Sequence, residues 1–173
     1  MNKLLDTLLG EAPGEIRAAL KRDHEELLQL AEALCDGSGG ENRRKRFAQF
    51  KAQLTAHSLS EEAVVYRALQ RLEKEEPKDM ALEGTVEHGS VDALVAKLAR
   101  MRDLDSDKAR AHFTVVKELL EHHIEEEHAD MFKQLRENFS DQELVSMGER
   151  FEASKAAPPT RRRSMRQRAT ATA

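Results

Sequence analysis

The sequence predicts an all-α protein: an up-down-up-down four-helix bundle with a short N-terminal helix, a short fifth helix and a disordered basic C-terminal tail. Three observations carry this. Apolar residues recur at helical spacing along four long segments, no segment alternates polar and apolar residues as a half-buried strand does, and Gly-, Pro- and Asp/Ser-rich breaks divide the segments. The composition agrees, with 35% charged and 39% hydrophobic residues, one Tyr and no Trp, as in charged amphipathic helices.

Residues 2–9 are expected to form a first short helix ended by Gly10, with Ala12-Pro13-Gly14 resetting the chain. A longer helix then spans about Glu15 to Cys35, striped by Ile16, Leu20, Leu27 or Leu28, Ala31 and Leu34 and followed by the loop Gly37-Ser38-Gly39-Gly40. The next runs from about Asn42 to Glu75, with Phe47, Phe50, Leu54, Val64 or Val65, Ala68 and Leu72 on its stripe, and stops before Pro77. A third spans about Met80 to Met101, weakened early by Gly84 and Gly89. Asp103 to Asp107 supply the turn and cap for a fourth, to about Glu137. Ser140 with Glu143 is a capping-box signature for the fifth, about Asp141 to Ala153. From Lys155 onward disorder is expected, since Pro158-Pro159 and the Arg-rich end lack apolar residues. The expected division is thus 1–14 short helix and linker, 15–153 four-helix bundle plus short fifth helix, and 154–173 disordered Arg-rich tail.

Net charge is −4, yet the tail holds Arg161, Arg162, Arg163, Arg166 and Arg168, leaving about −9 on the remainder. No aromatic residue accompanies these arginines, so the tail reads as solubilising and a nucleic-acid partner is not expected. The single Cys35 forms no internal disulfide. The first ten residues contain Asp6 and lack a signal-peptide apolar run, and no stretch reaches the roughly 18 apolar residues of a membrane span. The expectation is a cytoplasmic protein with no membrane partner.

Four of the seven histidines fall one per long helix: His24, His57, His88 and His123, spaced by 33, 31 and 35 residues. At 1.5 Å rise per residue that spacing brings them close to one level of an antiparallel bundle. Each lies on its helix's apolar stripe and points inward. One buried imidazole is more often a hydrogen-bonded core residue than a ligand; four at one level each need a partner, and a shared cation satisfies them together. Two carry a glutamate one turn on, His57/Glu61 and His123/Glu127, and residues at i and i+4 share a face. Imidazole with carboxylate suits iron, and bridging carboxylates suit a dinuclear centre better than tetrahedral zinc.

The segments Asp23-His24-Glu25-Glu26-Leu27, His57-x-x-x-Glu61-Glu62-x-x-x-Tyr66, Glu87-His88 and His122-His123-x-x-x-Glu127-x-x-x-x-Phe132 resemble the hemerythrin-like, HHE cation-binding family over about residues 15 to 153. The resemblance implies two iron ions, oxo- or hydroxo-bridged, with His24, His57, His88 and His123 as terminal ligands and Glu61 and Glu127 as bridges. His122 and Glu126 have the same spacing as His123 and Glu127; the latter pair is taken because Tyr66 follows His57 by nine residues and Phe132 follows His123 by nine. Oxygen-carrying members resemble HxxxH on the third helix, where this chain has His88 and Asp92. Asp92 either ligates, leaves an iron open to water, or supports an imidazole.

On an ideal helix Tyr66 lies about 180° from His57 and packs elsewhere, and His128 lies about 140° from His123 and is exposed. His112 reads as a bundle-end residue, Glu125 and Glu126 as a solvated face, and Glu62 as a modest candidate for supporting a ligand. A ferritin-like site needs two Glu-x-x-His pairs, and only Glu125/His128 fits. The resemblance implies a non-haem di-iron protein that binds or senses oxygen, peroxide or nitric oxide, served by an unidentified reductant. Alternatives are a catalase-like or nitric-oxide-handling enzyme and a non-catalytic iron buffer. Asp92 moves the expectation from oxygen carriage toward sensing or oxidant chemistry.

Overall fold

The computed structural model of the chain describes residues 14–36 and 41–157, and every regular element among them is helical. The expected helix at 2–9, the Gly37–Gly40 loop and the tail beyond 157 lie outside the described residues. Helix α1 spans Ile16–Cys35. Helix α2 comprises Glu41–Glu61, a wide π-helical turn Glu62–Tyr66 and a last turn Arg67–Leu69. Helix α3 is Glu75–Ala99. Helix α4 repeats the pattern of α2, with Asp107–Glu126, a π-turn Glu127–Met131 and Phe132–Asn138. Helix α5 is Asp141–Ala156.

Three boundaries differ from the sequence reading: the end of α2, the start of α3, which is Glu75 and not Met80, and the end of α5. Pro77 does not stop α2, which ends at Leu69; it lies in the first turn of α3, where the backbone N–H that proline lacks has no helical acceptor to lose. Helix α5 continues through Lys155, where disorder was expected, because Lys155 pairs with Asp23 and Ser154 is buried on the hydroxyl of Ser60 at 2.9 Å. The caps follow the sequence chemistry. The Ser106 hydroxyl accepts from the backbone N–H of Ala109 to start α4, and Ser140 with Glu143 forms a complete capping box at α5.

Contacts fix relative directions. Helices α1 and α4 oppose one another, with His24 beside Glu127 and Glu32 paired to Lys117. Helices α2 and α3 do likewise, with His57 and Glu61 near His88 and Tyr66 against Gly84. Buried apolar residues then divide into two cores. One gathers Leu27, Leu34, Phe50, Val95 and Phe113 among its members, and the other Ile16, Leu20, Val65, Leu69 and Leu135, closed by Phe151 of α5. Each of His24, His57, His88 and His123 falls in sequence between a residue of one core and a residue of the other. A polar layer therefore crosses the bundle between two dry ones.

Candidate metal centre

Polar groups sealed between apolar cores must satisfy each other or a ligand, and this layer converges on itself. The Nε2 atoms of His24 and His57 stand 3.2 Å apart, and those of His88 and His123 3.1 Å apart. Glu61, fully buried, places Oε2 3.2 Å from His57 Nε2 and 3.5 Å from His88 Nε2. Glu127 places Oε2 3.3 Å from His24 Nε2 and Oε1 3.5 Å from His123 Nε2. Each carboxylate thus reaches one imidazole of each pair. Close as these contacts are, neither oxygen of Glu61 nor Oε2 of Glu127 receives a well-formed hydrogen bond. Two groups of ligand atoms result, His24/His57/Glu61 and Glu61/His88/His123, sharing Glu61.

The outward-facing Nδ1 atoms are held in a ring. Asp23 of α1 lies 3.4 Å from His57 of α2, Glu62 of α2 lies 3.3 Å from His88 of α3, and Glu87 of α3 lies 2.6 Å from His123 of α4. His128 of α4, at 3.0 Å from His24 of α1, closes the circle. Such partners fix the tautomer and orientation of an imidazole and raise its basicity as a ligand. Sequence reasoning missed Asp23, Glu87 and His128 in this role. A signal was present: an acid precedes a histidine at Asp23-His24 and again at Glu87-His88, and a polar residue follows each glutamate at Glu61-Glu62 and Glu127-His128.

The π-turn of α2 explains one correction. Each wide turn delays the residues after it by about one residue's rotation, roughly 100°. Tyr66, expected on another face, is instead brought into the layer, where its hydroxyl donates to Glu127 Oε1 at 2.7 Å and its ring stacks on His88 at 5.4 Å. A Cβ at Gly84 would stand 2.7 Å from Tyr66 Cζ, so glycine is what lets the phenol through. His128 remains exposed, as expected, but one edge of its ring reaches His24.

The competing pair His122 and Glu126 lie 3.3 Å apart with side chains 62% and 48% exposed, whereas His123 and Glu127 are buried. Asp92 is half-buried and joins none of the three groups of converging ligand atoms among the described residues. His112 is directed to its own helix, 2.7 Å from the Lys108 carbonyl. Helix α5 covers one side of the layer, with Phe151 edge-on to His57 at 5.9 Å and Lys155 on Asp23.

Without a cation the layer shares protons unevenly. Burial presses the imidazole of His57 toward neutrality, but Glu61 and Asp23 outweigh it and raise its pKa to about 10. His88 is raised to about 9 by Glu61 and Glu62 against the same penalty. His24 and His123 go the other way, lowered by burial and by the charges on His57 and His88 respectively. Burial would raise Glu61, but His57 holds it well below the carboxylate range; burial and the Glu61 charge push Glu127 well above it. His57, His88 and Glu127 therefore keep protons that the unfolded chain releases, and stability falls as pH climbs from about 6.5 toward the folded values near 9 and 10. The lowered His24, His123 and Glu61 act only below about pH 6.5. Chelator-stripped protein should melt at progressively lower temperature from about pH 7 to about pH 10, and metal-loaded protein, whose ligands carry no protons, should not. Parallel pH profiles would contradict this proton count.

The model of the hemerythrin HHE cation binding domain matches residues 15–135. An uncharacterised hemerythrin-like protein of Schizosaccharomyces pombe is 29% identical over 153 residues, covering 88% of this chain and 75% of that protein. No solved structure gives a significant match.

Proposed function

The chain belongs to the hemerythrin HHE cation-binding family, and we propose that its up-down-up-down bundle, within residues 15–153, holds two iron ions and uses them to bind or sense oxygen, peroxide or nitric oxide. One observation carries this reading: Glu61 and Glu127 each approach an imidazole of both histidine pairs. His24 and His57 would hold one ion, His88 and His123 the other, and the two carboxylates would bridge them.

The donor set fits. Two nitrogens each about 2.1 Å from one first-row ion, roughly 100° apart, stand about 3.2 Å from one another, and the observed separations are 3.2 and 3.1 Å. Buried carboxylate oxygens without hydrogen bonds are the acceptors a cation satisfies. Bound iron would supply an open coordination position for a small oxidant and the electrons to reduce it. The chain does the rest. Asp23, Glu62, Glu87 and His128 orient the imidazoles, Tyr66 fixes Glu127 through its hydroxyl, and the two apolar cores exclude bulk water.

No helix among the described residues is long and apolar enough to cross a membrane, and a single half-buried thiol, Cys35, suits the reducing cytoplasm. Elemental analysis with an absorption spectrum tests the proposal. Two irons per chain with near-ultraviolet oxo-to-iron bands are expected, and a single zinc would overturn it. Oxygen evolution from peroxide no faster than with free iron would assign the site to binding or sensing instead of turnover.

A further inference from the structure

A cavity of about 450 Å³ opens beside α3 and the π-turn of α4. Its innermost lining includes His123, Glu127 and the ring of Tyr66, all buried in the polar layer. Its walls carry Glu76, Asp79, Glu83, Glu87, Glu126 and Asp130, and among the described residues no Lys or Arg lines it. At the rim, ligand atoms of Glu87, His122 and Glu126 lie within 4.8 Å of one another, with His122 and Glu126 exposed. Glu87 belongs both to this rim group and to the ring, through His123 Nδ1. Acidic residues alone would be a solvated face. Here they surround a cavity that ends on Glu127, 5% exposed and with Oε2 accepting no hydrogen bond.

The geometry points to this cavity as the loading path for divalent metal, in which the rim residues Glu87, His122 and Glu126 capture a cation from solvent and the acidic walls lead it to Glu127 and His123. The inference rests on the proposed two-ion centre and concerns how that centre is filled. A potential of one sign in a cleft with low-dielectric walls raises the local concentration of opposite charge, and with it the association rate. The same potential repels anions. Uncharged oxygen, nitric oxide and peroxide are not opposed by it, so the path selects for cations without closing the site to small neutral ligands.

Tyr66 is the chain's single tyrosine, and there is no Trp, so its fluorescence reports arrival of a quenching ion at the centre. Co(II) alone is the probe, mixed with chelator-stripped full-length protein in a stopped-flow instrument at low ionic strength. In the variant Glu76→Gln/Asp79→Asn/Glu83→Gln/Asp130→Asn, quenching should slow by about tenfold or more, and the deficit should shrink with added salt. Final Co(II) per chain should equal that of the parent. Removing the same charge elsewhere, in Glu25→Gln/Glu118→Gln/Glu149→Gln/Glu152→Gln, should change the rate by no more than about twofold.

A parental rate in the wall variant would overturn the route, as would equal slowing in the control, which would mean that only net charge matters. A folded wall variant with lowered final stoichiometry would also overturn it, since the acids would then be ligands. The smaller pair Asp79→Asn/Glu83→Gln, both exposed on α3, keeps the test open if the fourfold variant unfolds. Failure of the parent itself to bind Co(II) would refute the two-ion centre, an outcome distinct from any of these.

Discussion

Glu61→Gln is expected to leave the purified chain without stoichiometric metal. Glu61 is the one side chain common to both buried groups of ligand atoms, so its loss damages both halves of the proposed centre at once. Glutamine fills the same volume but offers one neutral oxygen and an amide NH₂ that cannot ligate. Loss of an orienting partner alone typically costs 10- to 100-fold in metal affinity, and loss of a shared ligand should exceed about 100-fold. Titration of chelator-stripped protein followed by elemental analysis measures it. Two tightly held ions in the variant would remove Glu61 from the bridge. In the metal-free protein the same change takes away the charge that keeps His57 and His88 protonated, so their pKa values should drop from about 10 and about 9 toward neutrality. Glu126→Gln, on the exposed neighbouring register, should retain its metal at equilibrium.

Gly148→Ala should give the largest loss of stability with no change in ligand chemistry. Helix α5 lies so close to the start of α1 that a Cβ at 148 would overlap the carbonyl oxygen of Gly14 and stand 3.0 Å from both the Glu15 carbonyl carbon and the Ile16 nitrogen. These are backbone atoms, and Gly14 is itself held at φ 90°, where other residues are strained. Neither side can yield by turning a side chain. Overpacking of this kind costs about 1–3 kcal/mol, lowering the melting temperature of a chain this size by roughly 2–4 °C per kcal/mol. Gly89→Ala is the contrast. Nothing lies within 4 Å of its added methyl group, and replacing glycine inside a helix should raise stability by about 0.5–1 kcal/mol. Thermal melts of the two proteins side by side would show opposite shifts. Similar shifts would mean that α5 is not seated against α1 as described.

The level of the four histidines was legible because helical rise is a fixed ruler: near-equal spacing on antiparallel helices yields one plane when each connection falls midway between its two histidines, as the one between Leu69 and Glu75 does for His57 and His88. The sequence reading preferred His123 to His122 through the matching positions of Tyr66 and Phe132, and burial separates the two residues in the same sense. What escaped notice depends on departures from ideal geometry or on contacts between helices. Tyr66 was assigned to the wrong face because 100° per residue fails across a π-turn, and no residue in Glu62–Tyr66 announces one. Pro77 was read as a stop because its tolerated place in a first helical turn shows only once the start of that helix is known. Asp23 and Glu87 were given no role because each serves an imidazole on the following helix, a relation that spacing along one helix does not reveal.

The ring around the imidazoles has a consequence for assembly. Each of the first three helices grips the histidine of its successor, and the fourth grips that of the first, so no hairpin contains a finished half. In α1 with α2, His57 is braced but His24 waits for His128; in α3 with α4, His123 is braced but His88 waits for Glu62. Ligand orientation is therefore a property of the closed circle, like a clasp whose last link fastens the first. A partly folded chain would present poorly aimed imidazoles, and tight metal binding would favour the finished bundle over every incomplete one.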